Sequence, residues 1–321
     1  MSIQYHIDES FIQDLNKAIK KVKIKSCVMI KDGSMIYEYH KNRKVRDNLQ
    51  KVNSCTKSIV SALIGIAIQE GYISSLDETL EHYFPKIINK QTDKRKKEIT
   101  IEHLLTMTAG FDWPEFGEWD SFAPMVYSND IVKFVIDRPL IDEPGIKMNY
   151  NSGCSHLLTA ILQIATGLKV SIFAEKYLFD PLEMKYHWFE DNKGINHGAD
   201  GLRLTPYDMA KFGQLYLQKG MWNAKQLIPE QWIKRSTEPK YLTYDFIGHY
   251  SYHWWVKNIE SDNSHLSADN RFFFALGHGG QYICIIPHAN AVVVFTSDMY
   301  NDSLKPLEYI EKFIIKSFSY C

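Results

Sequence analysis

The chain has 321 residues, enough for one large or two medium domains around a sizeable core. Hydrophobic residues make up 45% and charged residues 23%, and the 17 Phe, 19 Tyr and 7 Trp exclude a disordered polymer. A net charge of −1 excludes the strong positive field of a nucleic-acid binder or of a protein that coats anionic membranes.

In chain order, "MSIQYHIDESF" lacks the basic-then-apolar pattern of an export signal. Residues 8–22 read as a first helix, with Phe11, Ile12, Leu15, Ile19 and Val22 on one apolar face. "IKSCVMIKDGSMIYEYH" is a hairpin signal, two β-rich runs flanking Lys31-Asp32-Gly33. From Thr56 to Glu70 apolar residues are nearly continuous, which marks a buried helix stopped by Gly71. The charge run Lys90 to Glu98 reads as a solvated loop. "ITIEHLLTMTAGF" is expected to form a short helix ended by Gly110. "SNDIVKFVIDRPL" begins with capping residues and ends before Pro139. In "NSGCSHLLTAILQIATG" a buried helix covers Leu157 to Thr166 and stops at Gly167, and "LTPYDMAKFGQLYLQKG" is a helix with Thr205 as N-cap, Pro206 at N1 and Gly220 at its end. "SYHWWVK", "FFFALGHGGQYICIIP" and "AVVVFTSD" are strands, and "LKPLEYIEKFIIKSF" closes the chain as an amphipathic helix.

This order predicts an α+β fold: an antiparallel sheet flanked by helices, with an inserted all-helical lobe. The expected division is 1–70 plus 225–321 for the sheet lobe and 71–224 for the helical lobe, with the site between them. No apolar run reaches the ~18 residues of a membrane span. Cys27, Cys55, Cys154, Cys284 and Cys321 form no CxxC pair and are odd in number, which fits reduced thiols. A cytoplasmic enzyme is the expectation, and the oligomeric state is left open.

Three elements carry chemistry. Ser54 and Lys57 stand three apart at the start of the buried helix, on one face. A serine needs a base to become a nucleophile, and a lysine desolvated at a helix N-terminus loses its preference for the ammonium form. About one S-x-x-K pair is expected by chance in a chain of this length. What singles out this pair is the placement of a lysine inside an apolar helix, where it needs a partner or a task. The second element is "MNYNSG", whose Tyr150 lies in a loop ahead of a buried helix and can pass a proton. The third is "GHGGQYICIIP", where His278-Gly279-Gly280 opens a β run and the glycines would let a substrate approach the backbone along an exposed edge.

Ser54-x-x-Lys57, Tyr150-Asn151-Ser152 and His278-Gly279-Gly280 in this order resemble the serine β-lactamases and penicillin-binding proteins. The tyrosine at the second element is similar to the class C and esterase-like branch. "IEHLLTMTAGF" and "GLRLTPYDMAKFG" agree, and the resemblance runs from about Met29 to Ser297. It implies a β-lactamase/transpeptidase-like fold and acyl transfer through an acyl-enzyme on Ser54. Lys57 and Tyr150 would share base and acid duties, and the backbone N–H groups of Ser54 and Gln281 would form the oxyanion hole. Ser152, His278, Gly279, Gly280 and Trp113 would contact substrate. No metal or cofactor is implied. The substrate would be a small ester, amide or peptide-like molecule.

Two departures separate this chain from class C β-lactamases. Ser152 stands where they have asparagine, and His278 where many relatives carry a lysine that holds a drug carboxylate. Both point toward esterase, amidase or peptidase relatives, with a β-lactamase or D-amino-acid-specific peptidase as the alternative. A catalytically silent sensor is the alternative from another class.

The acidic-aromatic stretch "GFDWPEFGEWDSF" would overhang the site and suit an amine-bearing substrate, or else form a solvated loop. His249 and His253 have helical metal-ligand spacing but lie in a strand-like run without a third ligand. No G-x-S-x-G, Walker or dinucleotide glycine pattern occurs.

Overall fold

The computed structural model describes residues 9–89, 91–115, 121–259 and 270–318. The hairpin is β1 (Ile24–Lys31) and β2 (Ser34–His40). Its turn residues Asp32 and Gly33 are both left-handed, at φ 50° and 75°. That is the geometry which matches the twist of the strands it joins. Six later strands complete the main sheet: β3 (Tyr241–Leu242), β4 (His249–Tyr250), β5 (Trp255–Asn258), β6 (Arg271–Gly277), β7 (Gln281–Ile286) and β8 (Ala291–Ser297). The order is β2-β1-β8-β7-β6-β5-β4-β3, antiparallel throughout. The early and late ends of the chain therefore share one sheet.

Both sheet faces are buried, and the period of two along β8 divides them. Val292 and Val294 join one core, with the central helices. Val293 and Phe295 join the other, with the terminal helices. Helix α1 (Glu9–Ile19) packs on that second face with the C-terminal segment, which begins as α-helix at Lys305–Tyr309 and continues through π-helical turns to Ile315. Ile310, Ile314, Ile315 and Phe318 are its buried side. On the first face sits the buried helix α2 (Thr56–Gln69), followed by α3 (Ile101–Leu105), α4 (Ile131–Asp137), α5 (Ser152–Thr166) and α6 (Pro206–Leu217). Among the described residues no single helix is long and apolar enough to cross a membrane.

Several expectations need correction. The first helix is shorter than 8–22. The middle lobe is not all-helical: Tyr186–Trp188 and Leu202–Leu204 form a three-stranded sheet with Gln50–Lys51. Helix α6, placed in the helical lobe by a boundary at 224, packs on the main sheet, where a Cβ on Gly213 would meet Val292 at 2.5 Å and Ile283 at 3.1 Å. Helix α3 ends at Leu105, well before Gly110, because Met107 turns left-handed at φ 58°. Gly110 serves a close approach instead, since a Cβ there would lie 2.3 Å from the Asp142 carbonyl oxygen. Helix α5 starts at Ser152, capped by the Asn151 side chain, and not at Leu157. The run "HYSYHWWV" is broken at His253, left-handed at φ 59°, whose N–H goes to the Leu105 and Ser251 carbonyls.

Gly65, mid-way along α2, sets how closely the helix meets Trp232. A Cβ there would stand 2.4 Å from the indole ring. Gly65→Ala is expected to destabilise the protein by about 1–3 kcal/mol despite the better helix propensity of alanine. A denaturant melt of the variant checks this.

Candidate active site

Ser54 lies in a tight turn, Asn53–Cys55, that leads straight into α2. Asn53 is left-handed at φ 48°, a conformation that asparagine tolerates better than most residues. Its carbonyl accepts the Thr56 hydroxyl at 2.7 Å, and its side-chain amide donates to the His278 carbonyl at 2.6 Å. The Cys55 thiol is buried and donates to the Gln281 carbonyl at 3.4 Å. The turn is thus tied to the β6–β7 hairpin on one side and to α2 on the other. This fixes the Ser54 hydroxyl at the edge of a cavity of about 690 Å³.

Lys57 follows one helical turn later and is buried. Its Nζ has three oxygen neighbours: the Ser54 hydroxyl at 2.9 Å, the Ser152 hydroxyl at 3.1 Å and the Ala199 carbonyl at 2.9 Å. Burial pushes its pKa down to about 8, against the opposing pull of Glu115 and Asp200. The Tyr150 ring centre is 5.0 Å from Nζ. That ring stacks on Trp255, and its hydroxyl bonds to Ser54. Burial first, and then the Glu115 charge, raise the Tyr150 pKa well above its ordinary value, so the residue is a neutral phenol.

The Ala199 carbonyl is brought in by a loop pressed against α5. Gly198 permits this, because a Cβ there would lie 2.1 Å from the Ser155 carbonyl oxygen. The same loop is pinned by the buried pair His156–Asp191 at 3.1 Å. Asp191 also accepts the N–H groups of Lys193 and Ile195 at 2.8 and 2.9 Å.

Ser54, Lys57, Tyr150 and Ser152 come together around one ammonium-sized point, and His278 reaches the same cavity. The residues expected to touch substrate or to hold the oxyanion are placed as follows. Trp113 is buried behind the wall and donates its indole N–H to Glu115 at 2.7 Å. Ser152 is fully buried and bonds Glu115 and Lys57, so it has no surface for substrate. His278-Gly279-Gly280 is the hairpin turn between β6 and β7; among the described residues β5 pairs β6 only over Arg271–Phe274, so Ala275–Gly277 at the cavity end are paired on the β7 side alone. The two glycines serve the turn: both have φ 83°. Gln281 begins β7 opposite Gly277, buried, with its side chain bonded to Ser297. Of the acidic-aromatic stretch, Glu115 lines the cavity, while Phe116, Glu118, Trp119 and Asp120 lie outside the described residues.

Reading the sequence missed Asn53, Asp200 and the aromatic lining from Tyr244, Phe246 and Trp255, whereas Phe122 belongs to the acidic-aromatic stretch expected over the site. It also missed Ala199, whose contribution is a backbone carbonyl and leaves no mark in residue type. Gly198→Ala is expected to push this loop off α5 and lower stability by about 1–3 kcal/mol, as read in a urea melt.

The family model described as "Beta-lactamase" matches residues 26–311. A 6-aminohexanoate-dimer hydrolase from Paenarthrobacter ureafaciens is 19% identical over 308 residues, covering 88% of this chain and 74% of the relative. Among solved structures, a proposed 6-aminohexanoate-dimer hydrolase from Bacillus anthracis superposes with a TM-score of 0.79 at 21% identity, covering 95% of this chain and 81% of the other. A class C beta-lactamase from Rhodobacter sphaeroides gives 0.72 at 16% identity, covering 96% and 99%.

Proposed function

The chain belongs to the beta-lactamase family, and on that premise we propose that it is a serine hydrolase that works through an acyl-enzyme on Ser54. Its relatives include, by name, a 6-aminohexanoate-dimer hydrolase and a class C beta-lactamase. The observation that carries the reading is the 2.9 Å contact between Lys57 Nζ and Ser54 Oγ beside an open cavity. Lys57 is the base and Tyr150 the acid, because burial favours the neutral form of each. The Ser54 proton passes to Lys57 as Oγ bonds the carbonyl carbon. The Tyr150 phenol then protonates the leaving group, and water releases the acyl chain by the reverse route. The oxyanion is met by the Ser54 N–H and by the hairpin residue that lines the cavity, His278, in place of Gln281.

The substrate is an ester or amide without a carboxylate beside the scissile bond. Burial holds the His278 imidazole below its usual pKa, so it is neutral at neutral pH. Among the described lining residues the cation is Lys51, which is exposed. Glu115 and Asp200 contribute negative charge, and aromatic rings form the walls. An anionic drug therefore finds repulsion near the nucleophile, and a neutral or amine-bearing acyl group does not.

Labelling with a fluorophosphonate tests the reading. The wild type is expected to be labelled and to turn over p-nitrophenyl esters, and Ser54→Ala to do neither. A wild-type protein that neither labels nor hydrolyses esters would be a silent relative. For the pH profile, Lys57 must be neutral to act, so the rate is expected to rise with pH and reach half its plateau near pH 8. A profile flat across that region would remove Lys57 as the base.

A further inference from the structure

Glu115 is a buried carboxylate to which the chemistry above gives no step. Its two oxygens take three donors. Oε1 accepts the Ser152 hydroxyl at 2.6 Å. Oε2 accepts the Ser152 backbone N–H at 2.8 Å and the Trp113 indole N–H at 2.7 Å.

A carboxylate only accepts hydrogen bonds, so the Ser152 hydroxyl must point its hydrogen at Glu115. What Ser152 offers to Lys57 is then a lone pair, as does the Ala199 carbonyl. A neutral amine has two N–H groups and one lone pair. With both N–H groups directed at Ser152 and Ala199, the lone pair is left for the third neighbour, Ser54 Oγ. If the Ser152 hydroxyl were free to turn, it could donate to that lone pair and compete with Ser54.

We propose that Glu115 is a positioning residue which, by fixing the Ser152 hydroxyl as an obligate acceptor, aims the Lys57 lone pair at Ser54. The proposal rests on Lys57 being the base. When the Ser54 proton arrives, Nζ becomes an ammonium with three N–H groups facing three acceptors, and the Ser54 electron pair forms the bond to the carbonyl carbon. No other heavy atom has to move, which is what preorganisation contributes to a proton transfer.

The other titratable groups facing Lys57 do not duplicate this role. Asp200 acts on Nζ only through space. Tyr150 presents its ring. Cys55 and Cys154 are thiols that burial keeps protonated. His253 is held neutral by burial, its pKa pushed down to about 3, and its ring bonds Ser155.

The test is the rate at which a fluorophosphonate modifies Ser54, measured from about pH 6 to 10. In Glu115→Gln the plateau is expected to fall by about 10- to 100-fold. The acid limb is expected to move to lower pH, because the Glu115 charge holds the Lys57 pKa up. A part acting through Ser152 gives a second signature: once Ser152→Ala has lowered the plateau, adding Glu115→Gln lowers it no further. Trp113→Phe removes one donor to Glu115 and leaves Ser152 bonded, so its plateau is expected to stay near wild type.

A wild-type plateau in folded Glu115→Gln, or full additivity with Ser152→Ala, would overturn the proposal. If Glu115→Gln does not fold, Ser152→Ala decides alone, and an unchanged plateau there overturns it. Failure of the serine hydrolase reading would show differently, as a wild-type protein that is not labelled or has no acid limb near pH 8.

Discussion

The whole site depends on one costly placement, a lysine amine inside a helix that is otherwise apolar. From Thr56 to Ala67 every residue of α2 is buried, Lys57 with them. An ammonium taken out of water and left unpaired costs several kcal/mol. The fold meets that cost only in part. Three oxygens surround Nζ, an aromatic ring lies beside it, and Glu115 and Asp200 act through space. Burial still outweighs these and leaves the amine close to the point where it can exchange a proton at neutral pH. A fully compensated lysine would be an inert ammonium, and an uncompensated one would break the core.

Each contributor to that balance comes from a different part of the chain. The Ser54 turn is held by Asn53 against the β6–β7 hairpin, Ser152 starts α5 and Ala199 rides on a loop pinned by His156 and Asp191. Glu115 arrives from the segment after α3. The eight-stranded sheet matters to the site because it carries the hairpin that closes the Ser54 turn. The same frame is shared with relatives at low identity, so the frame itself does not choose a substrate. In the proposed reading that choice falls to the cavity lining, where His278 and Asp200 stand among aromatic rings.

How much of this the sequence discloses follows from what leaves a local trace. The hairpin turn at Asp32-Gly33, the Thr205 cap and the apolar run of α2 are local, and they read correctly. Ser54 and Lys57 stand out by spacing and by the oddity of a charge in an apolar helix. Tyr150 stands out only through the family pattern. Contacts between distant segments are illegible. Nothing in the residue types places Glu115 on Ser152, and the backbone oxygen of Ala199 has no residue type to read. Glycine is ambiguous for the same reason: at Gly110 a close approach explains it and not a helix stop, and Gly279 and Gly280 serve the turn itself. The resemblance places Trp113 at substrate, but its indole N–H donates to the Glu115 carboxylate.

The central claim is that burial leaves Lys57 able to act as a neutral base. Nitrogen NMR of the lysine side chains measures this directly. The account expects the Lys57 Nζ signal to titrate near pH 8, well below the ordinary lysine value of 10.5. A Lys57 signal that remains an ammonium up to that ordinary value would contradict it.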